Sequence, residues 1–84
     1  MRTARTPKFE AMLAKLNPRV QSLFLEQERR LQDNPEDPRL HLKKLQGMDS
    51  TYSLRITRNF RALFVRNGTT AWFFAIGDRK DIYR

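Results

Sequence analysis

The run YSLRITRNFRALFVRNGTTAWFFAI, residues 52–76, decides the fold. In Tyr52-Ser53-Leu54-Arg55-Ile56-Thr57 apolar and polar residues alternate with period two, the pattern of a half-buried strand. Arg58-Asn59 predicts a tight turn into a second strand over residues 60–65. Asn67-Gly68 follows, a strong hairpin signal because both residue types accept positive φ. Residues 70–76 are nearly all apolar, with Trp72, Phe73 and Phe74 in succession, which predicts a central strand covered on both faces. Gly77 breaks that strand, and Asp81-Ile82-Tyr83 reads as a last short one.

Upstream of this meander the period changes to that of helices. Thr6-Pro7 pairs a capping hydroxyl with proline at the first helical position, and Phe9, Leu13, Leu16 and Val20 recur at helical spacing. Asn17-Pro18 repeats the start signal for a second helix. Its expected buried stripe is Val20, Leu23, Phe24 and Leu31, with Glu26, Glu28, Arg29 and Arg30 facing water. A link this short predicts a helical hairpin. Asp33-Asn34-Pro35 ends it, and Pro38 keeps the connection extended. Residues 41–45 read as loop or edge strand, residues 47–50 as a turn, and a short strand near residues 2–5 can pair at the sheet edge. The sum is an α+β fold, an N-terminal helical hairpin packed on a C-terminal antiparallel β-sheet.

Eighty-four residues make one domain, 1–84, near the lower size limit for an unstapled core. The chain has no cysteine, which excludes disulfides and thiolate metal sites, and its single histidine argues against a zinc or two-metal centre. No metal and no cofactor is expected. No apolar run is long enough to span a membrane, and the basic start merges into the first helix, so the expected location is the cytoplasm.

The net charge is +8, and it is unevenly placed. Residues 39–84 carry ten bases against Asp49, Asp78 and Asp81, whereas residues 1–38 are close to neutral. Twelve of the seventeen bases are arginine, the type suited to bidentate phosphate contacts. This is the footprint of a polyanion partner, RNA or DNA; a solvated basic surface or an acidic protein partner gives the same pattern.

Strand parity sets Arg55 on the face opposite Leu54 and Ile56, away from the helices. Arg61 lies across the turn and Arg79 follows the third strand; three guanidiniums converging on one sheet face would hold a phosphate and stabilise added charge on it. Parity leaves the side of Arg61 open, because both faces of its strand are partly apolar, and each arginine could instead pair with Asp78 or Asp81. Tyr83, beside arginines that favour its anion, could relay a proton, stack on a base or simply pack on a sheet edge. His41 reads as a surface contact residue rather than a base. Trp72, Phe73 and Phe74 read as core rather than a stacking platform. Lys43, Lys44, Arg58, Lys80 and Arg84 complete the expected RNA-binding set.

The series Leu42-Lys43-Lys44-Leu45-Gln46-Gly47, Tyr52-Ser53-Leu54-Arg55-Ile56, Phe60-Arg61-Ala62-Leu63-Phe64 and Ile76-Gly77-Asp78-Arg79, closing on Tyr83, resembles the RelE/ParE superfamily of type II toxin–antitoxin toxins. Lys15-Leu16-Asn17-Pro18 fits the same pattern, so the resemblance spans nearly the whole chain. In the RelE branch it implies a metal-independent, ribosome-dependent endoribonuclease that cuts mRNA by attack of a 2′-hydroxyl on the neighbouring phosphate. By that resemblance Arg61 and Arg79 would stabilise charge on the phosphate, Arg55 would hold it, Tyr83 would orient the 2′-hydroxyl or accept its proton, and Lys43 and Lys44 would contact ribosomal RNA. A cognate antitoxin would be the protein partner. Two departures stand out: Ser53 occupies a position where RelE has a lysine, and Asp78 one where several relatives carry histidine, leaving Asp78 itself as a candidate base. The same fold is shared by ParE-like inhibitors of DNA gyrase and by catalytically weak antitoxin-binding members, so both stand as alternatives.

Overall fold

Thr6 and Asn17 start the two helices as expected. In the computed structural model, which describes residues 1–83, the Thr6 hydroxyl accepts the Phe9 N–H at 3.1 Å and the Asn17 Oδ1 accepts the Arg19 N–H at 2.7 Å. Each is followed by proline at the first helical position, where no N–H is needed, giving α1 (Pro7–Ala14) and α2 (Pro18–Asp33). A strand β1 (Arg2–Arg5) precedes them; β2 (Lys43–Lys44), β3 (Thr51–Arg55), β4 (Phe60–Asn67), β5 (Thr70–Asp78) and a one-turn helix α3 (Arg79–Ile82) follow. A 3-10 turn, Pro38–Leu40, joins α2 to β2.

The strands form one sheet in the order β1-β5-β4-β3-β2. The β3–β4–β5 meander and β2 are antiparallel, while β1 runs parallel to β5 at the opposite edge, so the sheet is mixed. Backbone bonds from Arg2 N–H to the Thr69 carbonyl (2.9 Å) and from Thr6 N–H to the Phe73 carbonyl (3.0 Å) close both ends of that parallel pair.

The helices cover one face. Phe9 of α1, Phe24 of α2 and Phe73 of β5 meet with ring centroids 5.1–5.4 Å apart, and Phe64 of β4 extends the cluster to Phe73 at 5.3 Å. Leu13, Val20, Leu31, Leu40, Leu54, Ile56, Ala62, Ala71 and Ile76 complete it. Along β4, Ala62 and Phe64 point into this core with Phe60 packed against it, so Arg61, Leu63 and Val65 take the other face.

Four expectations need correction. Glu28 does not face water. It is 8% exposed, and its carboxylate accepts from the Arg5 guanidinium through both oxygens and from the Thr3 hydroxyl at 3.0 Å. That pairing lifts the Arg5 pKa above its ordinary value, chiefly through the Glu28 hydrogen bond. The hairpin turn lies one residue later than expected. Asn67 ends β4 opposite Thr70, so Gly68 and Thr69 form the loop, with Gly68 alone supplying a positive φ (+61°), as a two-residue turn with glycine first requires. Trp72 is 46% exposed although β5 lies inside the sheet, because the helices cover only one face. Finally, residues 81–83 are not a strand. Asp78 caps Arg79–Ile82 as a helical turn by accepting the Lys80 N–H at 2.8 Å.

Candidate functional site

Parity and register assemble the site on the face away from the helices. Arg55 closes β3 and is the register partner of Arg61 on β4, which in turn opposes Gly77 on β5. One row across three strands therefore presents two guanidiniums and a position with no side chain. A Cβ at Gly77 would meet no atom within 4 Å, so the sheet surface is open there.

Each of these groups is held by its own local structure. Gln27, buried in α2, donates from Nε2 to the carbonyls of Arg55 (2.6 Å) and Arg39 (2.9 Å), which ties the end of β3 and the 3-10 turn to the helix. Arg61 Nη1 donates to the carbonyls of Thr57 (2.6 Å), Arg58 (3.1 Å) and Phe60 (3.1 Å), so the β3–β4 turn grips one branch of its guanidinium. Nε and Nη2 of Arg61 have no such partner among the described residues. Arg79 is placed by its N–H, which donates to the Asn59 carbonyl of the same turn at 2.7 Å.

Arg55, Arg61, Arg79 and Tyr83 line one hollow of about 290 Å³, with Lys43, Ser53 and His41 on its walls. Lys43 arrives from β2 as the register partner of Ser53. The Arg61 pKa is lowered, first by partial burial and then by the charges of Arg55 and Arg79, with the Tyr83 phenol acting in the opposite direction. Like charges crowd here without neutralisation. Among the described residues, the ion pairs are Arg5–Glu10, Arg5–Glu28 and Arg39–Asp37, and none involves the hollow's arginines. Such an arrangement is chemically suited to an anion, and more to a doubly charged phosphorus centre than to a monoanion.

The remaining candidates divide. Lys44 lines an adjoining hollow together with Lys43 and Tyr83. Arg58 and Lys80 are exposed, on the β3–β4 turn and on α3, and neither lines the central hollow. Arg84 lies outside the described residues. Asp78 is committed to capping α3 and does not line the hollow. His41, read from sequence as a surface residue, is exposed and also borders the hollow. The 3-10 turn ends on it with a left-handed backbone (φ 46°) that turns the chain toward β2. The local pattern Leu40-His41-Leu42 carries no glycine, the residue type that most clearly marks a left-handed turn, so the sequence gives little signal of it.

No protein-family model and no curated protein sequence matches this chain. Solved structures do. A chain of the RelB–RelE antitoxin–toxin complex from Methanococcus jannaschii superposes with a TM-score of 0.81 at 22% identity, covering 95% of this chain and 94% of that one. This protein has the fold of the RelE/ParE-like toxins. The archaeal RelE–RelB complex from Pyrococcus horikoshii OT3 gives a TM-score of 0.78 at 19% identity, over 95% of this chain and 96% of its counterpart. The YoeB/ParE toxin from Agrobacterium tumefaciens gives 0.76 at 16% identity, over 94% and 99%. The RelE-like architecture thus extends over almost the whole of each chain.

Proposed function

We propose that this protein is the toxin of a type II toxin–antitoxin system and acts as a metal-independent endoribonuclease on mRNA engaged by the ribosome. The observation that carries the reading is the convergence of Arg55, Arg61, Arg79 and Tyr83 on one hollow, with no carboxylate paired to those arginines among the described residues. In the proposed reaction the 2′-hydroxyl of one nucleotide attacks the adjacent phosphorus while the bond to the 5′-oxygen of the next breaks. The products are a 2′,3′-cyclic phosphate and a free 5′-hydroxyl. Arg55 holds the phosphate, and Arg61 and Arg79 stabilise the extra negative charge that develops on its oxygens. Tyr83 relays the proton of the 2′-hydroxyl to solvent, and the departing 5′-oxygen, with Arg79 beside it, takes its proton from solvent.

Lys43 and Lys44, on the edge strand β2, extend the positive surface beside the hollow toward ribosomal RNA. The partner is a cognate antitoxin, the kind of protein with which the Methanococcus jannaschii and Pyrococcus horikoshii toxins were solved. The test is to add purified protein to a translating ribosome system and map mRNA ends. New ends within the translated region support the reading. Intact message together with inhibition of gyrase supercoiling replaces it with a gyrase inhibitor.

A further inference from the structure

The face of the sheet that carries the arginine row continues beyond it. With Arg61 facing away from the core, β4 presents Leu63 and then Val65 on the same side at successive alternate positions. Register places Trp72 of β5 directly opposite Val65, and Ala4 of β1 beyond Trp72. Trp72 is 46% exposed and Val65 36%, so the two form an apolar step that the helices leave uncovered. Arg2, exposed and two residues from Ala4, lies past that step on the same face. From the arginine row to the Trp72 row is four residues of β4, about 13 Å at the usual rise of a strand.

The charges on this face have one sign. Its strand positions include Arg2, Lys43, Arg55 and Arg61, and the register places neither Asp nor Glu among them. An aromatic ring flanked by cations on both sides, with no acid between, is complementary to a single nucleic-acid strand, whose backbone is anionic and whose bases offer flat faces. A protein helix seated here would bury the same ring but would leave the arginines on either side without a matched anion at regular spacing.

We infer that Trp72 is a stacking platform for a nucleobase of the RNA strand whose phosphate occupies the Arg55–Arg61 row, with Arg2 meeting a phosphate beyond it. This rests on the RNA-cleaving reading of the hollow and extends it to a second contact, one that selects for single-stranded RNA and reads no base edge.

Trp72 is the chain's single tryptophan, so its fluorescence reports on this position alone. The probe is a short 2′-O-methyl oligoribonucleotide, which binds but lacks the attacking hydroxyl, compared with an abasic phosphodiester of the same length. The oligoribonucleotide is expected to quench Trp72 saturably, while the abasic chain does not. By anisotropy of a labelled oligoribonucleotide, Trp72→Ala should weaken binding roughly tenfold and Trp72→Phe much less, stacking on an aromatic ring being tolerant of its identity. Circular dichroism confirms that both variants fold.

Quenching without any cleavage of a 2′-hydroxyl substrate leaves the stacking inference standing and removes the nuclease. Cleavage with no quenching and an unchanged affinity of Trp72→Ala overturns the stacking inference and leaves the nuclease. Unchanged RNA affinity in Trp72→Ala, with loss of a co-purifying protein partner, assigns the face to that partner and overturns it equally.

Discussion

Arg55 and Arg61 are register partners across β3 and β4, two like charges set directly opposite each other on the uncovered face of the sheet. Opposed like charges destabilise a strand pair, so this juxtaposition opposes folding. Arg55→Gln should therefore raise stability by roughly 0.2–1 kcal/mol while lowering RNA cleavage. Urea denaturation read beside a cleavage assay checks both signs, and a variant that is less stable and fully active contradicts the assignment.

Arg61 differs from its partner in being gripped by three turn carbonyls. The planar fork lets one branch be gripped while Nε and Nη2 point elsewhere, which the single ammonium of lysine cannot do. Arg61→Lys should keep the charge yet lose most of the activity, approaching the roughly 10²-fold loss expected when a charge-stabilising donor is removed. Single-turnover rates at saturating protein measure it.

Gln27 joins the helix layer to the site. Gln27→Leu leaves the carbonyls of Arg39 and Arg55 without their side-chain donor, which should cost about 1–3 kcal/mol of stability. The same change should lower cleavage by loosening the end of β3. Gln27→Glu keeps the shape but offers no N–H donor when ionised, and it should behave like Leu in both assays.

The Arg5–Glu28 pair anchors β1 to α2. Breaking it from one side, as in Glu28→Ala, should cost about 2 kcal/mol, less than a fully buried pair because the Arg5 side chain is 23% exposed. Replacing both residues together by Met and Leu should cost less than the sum of the single changes. A double-mutant cycle in thermal denaturation settles the coupling.

Two groups on the hollow can carry a proton, Tyr83 and His41. With Tyr83 as the acceptor, Tyr83→Phe should reduce cleavage by about 10²–10⁴-fold. His41→Gln should change it only a few-fold, through substrate contact. The reverse ranking would transfer the proton step to the imidazole.

Much of this was legible along the chain because local chemistry and global fold agree. Both helix starts follow from a capping side chain before proline, and the meander follows from period-two alternation. The placement of Arg55 followed from parity alone. Arg61 could not be placed that way, since Leu63 and Val65 make its own face apolar; only the packing of Phe60, Ala62 and Phe64 against the helices settles it.

What stayed hidden depends on partners distant in sequence. Glu28 looks like a solvent-facing helix residue until β1 brings Arg5 to it, 23 positions away. Trp72 looks like core until one knows that a single helical layer covers a single face. His41 reaches the hollow through a left-handed backbone, a conformation uncommon for any residue but glycine.

The most direct measurement is the chemistry of the RNA ends formed when purified protein meets mRNA on translating ribosomes. The native protein should leave 2′,3′-cyclic phosphate and 5′-hydroxyl ends, and Arg61→Ala, folded to the same extent, none. Ends bearing a 5′-phosphate, or equal cleavage by Arg61→Ala, would contradict the proposed reaction.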